Sequence, residues 1–196
     1  MYNSIQQFNE LGVKKIEERI KIFLSEGKDI ADFILGVNKD LMKLGRDIVA
    51  EVLEDMDEFL RHDGVRKKDW EIVRKDETGL LTSFGQVRYK RTYFRPKRGG
   101  KRRYLVDELV GIKPHDRMSA DVVINALDEA IESSYRKAGE KASCEDIVSK
   151  QAVMSKVHTV EVKPLTLKYV EKREVRILYI EADEDHVAHQ AKRKGG

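Results

Sequence analysis

The chain has 196 residues, of which 40% are apolar and 37% charged, enough for one or two domains with a sizeable core. No run of eighteen apolar residues occurs, and the start MYNSIQQFNE lacks a basic stretch followed by an apolar one, so the expectation is a globular, cytoplasmic protein with no membrane partner. The single cysteine, Cys144, excludes an internal disulfide and a cysteine-built zinc ribbon.

The net charge of +3 hides a strong asymmetry. Residues 1–65 carry 9 basic and 14 acidic side chains, whereas 66–113 carry 15 basic and 6 acidic. A cationic block of that size points to an anionic polymer, most simply nucleic acid, because each phosphate it neutralises releases counterions.

In chain order, Ile5, Phe8, Leu11, Ile16, Ile20, Phe23 and Leu24 recur at helical spacing and predict an amphipathic helix over 4–26 that stops at Gly27. From Ile30 the apolar positions run Phe33, Ile34, Val37, Leu41, Leu44, Ile48, Val52, Met56 and Phe59, with Asp29 as N-cap and Gly64 as terminator. A helix that long needs a partner along its stripe. Either the first helix folds back on it, or the same helix of a second copy pairs with it, making a homodimer through 30–60. Residues 1–65 thus form the first unit, and Gly36 and Gly45 are points where the long helix could break.

Residues 66–113 change character. Trp70, Ile72 and Val73 suggest a short extended segment, and Gly79 and Gly85 punctuate the TGLLTSFGQ stretch beyond it. Gln86 to Phe94 alternates and is rich in Val, Tyr, Thr and Phe, which predicts a strand with Val87, Tyr89, Arg91 and Tyr93 on one face. The RPKRGGKRR stretch reads as the turn of a hairpin whose return strand is Tyr104, Leu105 and Val106. Arg88, Lys90, Arg91, Arg95, Lys97, Arg98, Lys101, Arg102 and Arg103 then form a basic hairpin with no acid between them, suited to gripping double-stranded DNA by its phosphates. Tyr89, Tyr93 and Phe94 are available for stacking on bases.

Beyond Pro114, residues 114–163 read as a helix-turn-helix-like bundle: a helix capped by Ser119 and closing near Gly139, a short helix after Ser143, and a third from Ser149. Lys150 and Gln151 at that third start suit phosphate or base-edge contact. Pro164 breaks the bundle. Finally, in 171–196, Val175 to Ile180 form a short apolar run that predicts a buried strand ending in acid. Glu181, Asp183 and Asp185 share one face of it, where three carboxylates stay ionised together only if solvated, paired or bridged by a divalent metal.

With LLTSFGQVRYKRTYF at 80–94, SYRKAGEKAS at 134–143, VSKQAV at 148–153 and RILYIEADEDHV at 176–187, the chain resembles the Lre-type insertion-sequence transposases, a bacterial family also catalogued as an uncharacterised protein group. The resemblance implies a DNA transposase with N-terminal DNA-binding segments and a ribonuclease-H-like domain that uses two aspartates and a glutamate with Mg²⁺. Asp183 matches the first catalytic aspartate; Glu184 stands where related transposases often have glycine, so Glu181 and Asp185 remain alternatives as metal ligands. Only thirteen residues follow Asp183, so the expectation is a truncated transposase that binds transposon ends and, lacking the second and third carboxylates, is inactive as an enzyme. The alternative is a stand-alone DNA-binding and dimerisation module that regulates a full-length transposase. The expected fold class is α+β and mostly helical: long N-terminal helices, a basic β-hairpin, a helix-turn-helix-like bundle, and the first strand of an incomplete ribonuclease-H-like domain.

Overall fold

The N-terminal third is a helical hairpin. In the computed structural model, which describes residues 2–27, 29–161 and 179, α1 (Asn3–Gln7) passes through one π-helical turn, Phe8–Gly12, into α2 (Val13–Glu26). Gly27 adopts the left-handed conformation, φ 60°, that ends this helix without a Cβ clash. The Asp29 carboxylate accepts from the Ala31 N–H and starts α3 (Ile30–His62), which is unbroken for 33 residues. Ser4 meets Glu51, Arg19 meets Asp40 at 2.7 Å, and Phe23 stacks on Phe33 at 5.0 Å, a ladder that only antiparallel helices produce. The stripe of α3 is therefore met first by its own chain. Gly36 and Gly45 are not breaks; the Arg19 side chain and the Phe84 ring lie across them, where a Cβ would collide.

Gly64 does not terminate α3. Asp63 does, and its carboxylate accepts from the Arg66 N–H to cap the next helix, α4 (Gly64–Asp69). Arg66 is buried and donates to the carbonyls of Leu60, Arg61 and Trp70, so it closes the end of α3.

The sheet corrects the expected hairpin. β1 (Trp70–Thr82) pairs antiparallel with β2 (Gly85–Pro96) over twelve partners, and the tight turn is Ser83–Phe84, with Gly85 at φ 106°. The short run at 70–73 is only the start of a long strand, hidden in the sequence because WEIVRKDE places charges on both faces. RPKRGGKRR leads instead to β3 (Arg103–Tyr104), two pairs long, after which Leu105 and Val106 enter α5 (Leu105–Leu109) rather than a return strand. The order is β1-β2-β3.

Leu80 and Leu81 are neighbours in a strand, so they point to opposite faces and join two cores. Leu80 packs with Leu53, Val87 and Tyr89 against α3. Leu81 packs with Val122, Ala126, Ala138, Ala142, Val148 and Val153 of a three-helix unit: α6 (Ala120–Glu132), α7 (Tyr135–Lys141) and α8 (Lys150–Val157). Hydrogen bonds seal the joint, with Leu81 N donating to Arg117 O, Ser119 N to Leu81 O, and the Ser143 hydroxyl to Thr82 O. The helix expected to run from Ser119 to Gly139 is two helices, since the Ser134 hydroxyl caps a new one by accepting from Lys137 N. Residues 142–149 form no helix. Ser149 caps α8 as expected.

Gly139 lies inside α7, where its carbonyl accepts from Val148 N and a Cβ would overlap the Val148 carbonyl oxygen. Backbone cannot yield as a flexible side chain can. Gly139→Ala is therefore expected to cost about 1–3 kcal/mol despite alanine's better helix propensity, measured by urea unfolding; a neutral or stabilising effect would contradict this packing.

Candidate nucleic-acid interface

The ribbon is held from its edge. In an antiparallel strand, alternate residues turn N–H and C=O away from the partner, and on β2 the outward donors include Lys90 and Thr92. Glu54 accepts from Lys90 N at 2.8 Å, and Asp57 accepts from Thr92 N at 2.8 Å and from its hydroxyl at 2.6 Å. Asp57 is fully buried, yet its carboxylate has these two donors. α3 thus crosses the edge of β2, touching the Val87–Tyr89 face through Leu53, and α4 closes near Phe94 through Arg66, whose guanidinium lies 5.2 Å from that ring.

This crossing breaks the face pattern expected for 87–94, because Thr92 and Phe94 are as buried as Val87 and Tyr89. Of the three aromatics expected to stack on bases, Tyr89 and Phe94 are buried. Tyr93 packs on Tyr104 at 4.7 Å, with the Arg74 guanidinium 4.8 Å from its ring.

The cations divide into two groups. Arg91 turns inward, pairs with the Asp107 carboxylate and lies 3.8 Å from the Tyr104 ring centroid. The Tyr89 hydroxyl donates to the same carboxylate, and burial pushes that phenol's pKa up. Beside it, the Tyr104 hydroxyl donates to Asp76, which holds the Asp76 carboxyl below its usual range with help from Arg74. Arg95 bonds Glu71 directly opposite at 2.6 Å, Arg88 lies 4.0 Å from Glu77, and Arg103 pairs with Glu108 at 3.2 Å. Lys90 is exposed and stands opposite Glu77 in the register. The 86–103 segment contains no acid, but β1 and α5 bring acids to it.

The second group is the β2–β3 turn. Lys97 is anchored by its N–H to Asp69 O and by Nζ to Lys67 O, which places the turn beside α4. Arg98, Lys101 and Arg102 are exposed, and no ion pair is formed by them among the described residues. Lys67 and Lys68, exposed on α4, join this patch. In the sequence those two lysines belong to the basic block without standing out from it; only the Lys97 contact shows that they belong to the turn.

Lys150 and Gln151 are exposed in the first turn of α8. The three-helix unit sits at the Leu81 end of the ribbon and the cationic turn at the Pro96 end. A thirteen-residue strand separates them by about 40 Å. The structure therefore does not bring these predicted contacts into one site. The α6–α7 link is two residues and the α7–α8 link eight, so the shorter joint precedes α7, not α8.

Glu181, Asp183 and Asp185 lie outside the described residues, as does the predicted Val175–Ile180 strand apart from Tyr179. Among the described residues, no three His, Cys, Asp or Glu side chains gather to hold a metal, and no helix is long and apolar enough to cross a membrane.

These features define a mostly helical α+β protein whose small three-stranded sheet presents a cationic turn. By sequence the chain belongs to the Uncharacterised protein family (UPF0236), which matches residues 23–196. It is similar to members of that family from Caldanaerobacter subterraneus subsp. tengcongensis. One is 38% identical over 177 residues, covering 89% of this chain and 38% of the relative. Another is 38% identical over 167 residues, covering 85% of this chain and 36% of the relative, and its designation joins eleven locus labels. The chain thus spans less than two-fifths of the length of these relatives. No solved structure matches it.

Replacing Arg91 by alanine would leave the Asp107 carboxylate buried with only the Tyr89 hydroxyl. A loss of about 3–5 kcal/mol in stability is expected, against almost none for Arg98→Ala, both read by urea unfolding. Equal small losses would show that Arg91 is a surface cation after all.

Proposed function

We propose that this chain is a DNA-binding part of an insertion-sequence transposase, one that recognises transposon ends as double-stranded DNA. The observation that carries this reading is the set of cations at the β2–β3 turn that have no acidic partner among the described residues, on a ribbon held firmly to α3. Surface cations placed only for solubility gain nothing from clustering, since their mutual repulsion costs energy that phosphate contact recovers. The many locus labels of one relative support the same reading, because one coding sequence at many positions in a genome is what a mobile element leaves behind. Lys150 and Gln151, exposed in the first turn of α8, offer a second and separate phosphate contact. Strand transfer with Mg²⁺ at Asp183 is what the transposase resemblance adds for the longer relatives. Because Asp183 and its neighbours lie outside the described residues, DNA recognition is the activity assigned to this chain.

If Lys67, Lys68, Lys97, Arg98, Lys101 and Arg102 each meet a phosphate, log K for a duplex should fall with log salt at a slope of about −5. Reversing Arg98, Lys101 and Arg102 to glutamate should weaken binding at least tenfold and flatten that slope by about 3, measured by fluorescence anisotropy. Arg88→Glu, at a partnered position, should change little. Absence of duplex binding at low salt, or binding unaffected by the triple reversal, would overturn the proposal.

A further inference from the structure

We infer that the β2–β3 turn is a minor-groove reader, selecting A·T-rich duplex through Arg98, Gly99, Gly100 and Lys101; this rests on the DNA-binding reading above and specifies how the duplex is met. The choice lies between laying the ribbon's outer face in the major groove and inserting its turn in the minor groove. The ribbon face is mixed in charge, with Glu71 set against Arg95 and Glu77 against Arg88 and Lys90, so along its length attraction for phosphates is offset by repulsion. The turn differs. From Lys97 to Arg102 there are four cations in six residues, and Arg98, Lys101 and Arg102 form no ion pair among the described residues.

The shape of the turn favours the narrow groove. Gly99 and Gly100 take φ 82° and 124°, conformations that side chains rarely tolerate, and nothing lies within 4 Å of where a Cβ would stand on Gly99. Two successive positions without side chains give a tip thin enough for backbone to approach the floor of a groove about 6 Å wide. A·T tracts narrow that groove further and deepen its negative potential, which attracts an inserted guanidinium. Guanine places an amino group on the groove floor and obstructs the approach. Arg98 and Lys101 flank the thin point on either side, while Lys97, tied to Lys67 O, fixes the base of the turn and aligns Lys67 and Lys68 with the phosphates beyond.

The test is duplex binding by the full chain with three probes of equal length and charge: A·T-rich, G·C-rich, and the same G·C-rich sequence with inosine for guanine. Inosine removes the minor-groove amino group and leaves the major-groove edge of the pair almost unchanged. The A·T and inosine duplexes should bind with similar affinity, at least tenfold tighter than the G·C duplex, and netropsin, a minor-groove ligand, should displace the protein from them. Arg98→Ala should reduce the A·T preference severalfold and lower G·C affinity much less, and the exposed position of Arg98 makes a folding defect unexpected. Gly99→Val serves as a second variant and should lose the preference while retaining salt-dependent binding. If inosine behaves as guanine does, or netropsin fails to compete, this inference falls and the DNA-binding reading stands. If no duplex is bound at low salt, both fall.

Discussion

Two N–H groups on the outer edge of β2, those of Lys90 and Thr92, point away from β1 toward a side where the sheet supplies no strand until Tyr93. An unpaired strand edge invites association with other chains, and a buried unpaired N–H costs about 1–3 kcal/mol. The long helix α3 meets both needs with two carboxylates one helical turn apart, Glu54 and Asp57. That spacing matches the two-residue step of the strand only where helix and strand run side by side, so the pairs fix orientation as well as contact. From this crossing come the position of Leu53 beneath Val87 and Tyr89, the burial of Phe94 under Arg66, and the projection of the turn beyond Pro96.

At the other end, Leu81 and the Ser83–Phe84 turn join the three-helix unit to the same ribbon. Arg46 of α3 donates to Phe84 O and pairs with Glu145, and Asp146 accepts from Gln86 N, so the long helix, the turn and the segment before α8 converge on a few residues. The LLTSFGQ stretch is thus a structural joint. The proposed DNA contact lies at the opposite end, at side chains that form no ion pair among the described residues. Charges that hold the ribbon together and charges free to meet a ligand are interleaved in sequence, and they separate only in space.

The two long helices are legible because α2 and α3 have clean apolar periodicity and standard stop and cap residues at Gly27 and Asp29; their pairing within one chain is not, since the apolar stripe of α3 suits a second copy equally well. The three-helix unit is legible at its helix starts, where Ser149 caps α8 and Ser119 stands at the N-cap position of α6 with its hydroxyl turned to the Leu81 carbonyl, but not in its middle, where Ser134 restarts a helix and Gly139 permits close approach without ending one. β1 was missed beyond its first residues because WEIVRKDE has charge on both faces, so alternation, the signature of a half-buried strand, is absent. The error in the basic segment has the same origin. Residues 86–103 contain no acid of their own, and the acids that face them, Glu71, Asp76 and Glu77, come from β1, whose pairing the sequence does not reveal. Arg91 could not have been told from Arg98 by sequence, because what distinguishes them is Asp107, sixteen residues away in the chain and in contact in the fold.

The α3 carboxylates close the edge of β2 and so hold the ribbon whose far turn is proposed to meet DNA. Hydrogen exchange of the Lys90 and Thr92 amides, resolved by NMR, tests this closure most directly. Both should be protected to the level of the β1–β2 ladder, and Asp57→Ala should release Thr92 while leaving the ladder amides at the Leu80–Val87 pair protected. Exchange of both amides at the rate of an open strand edge in the native protein would contradict the account.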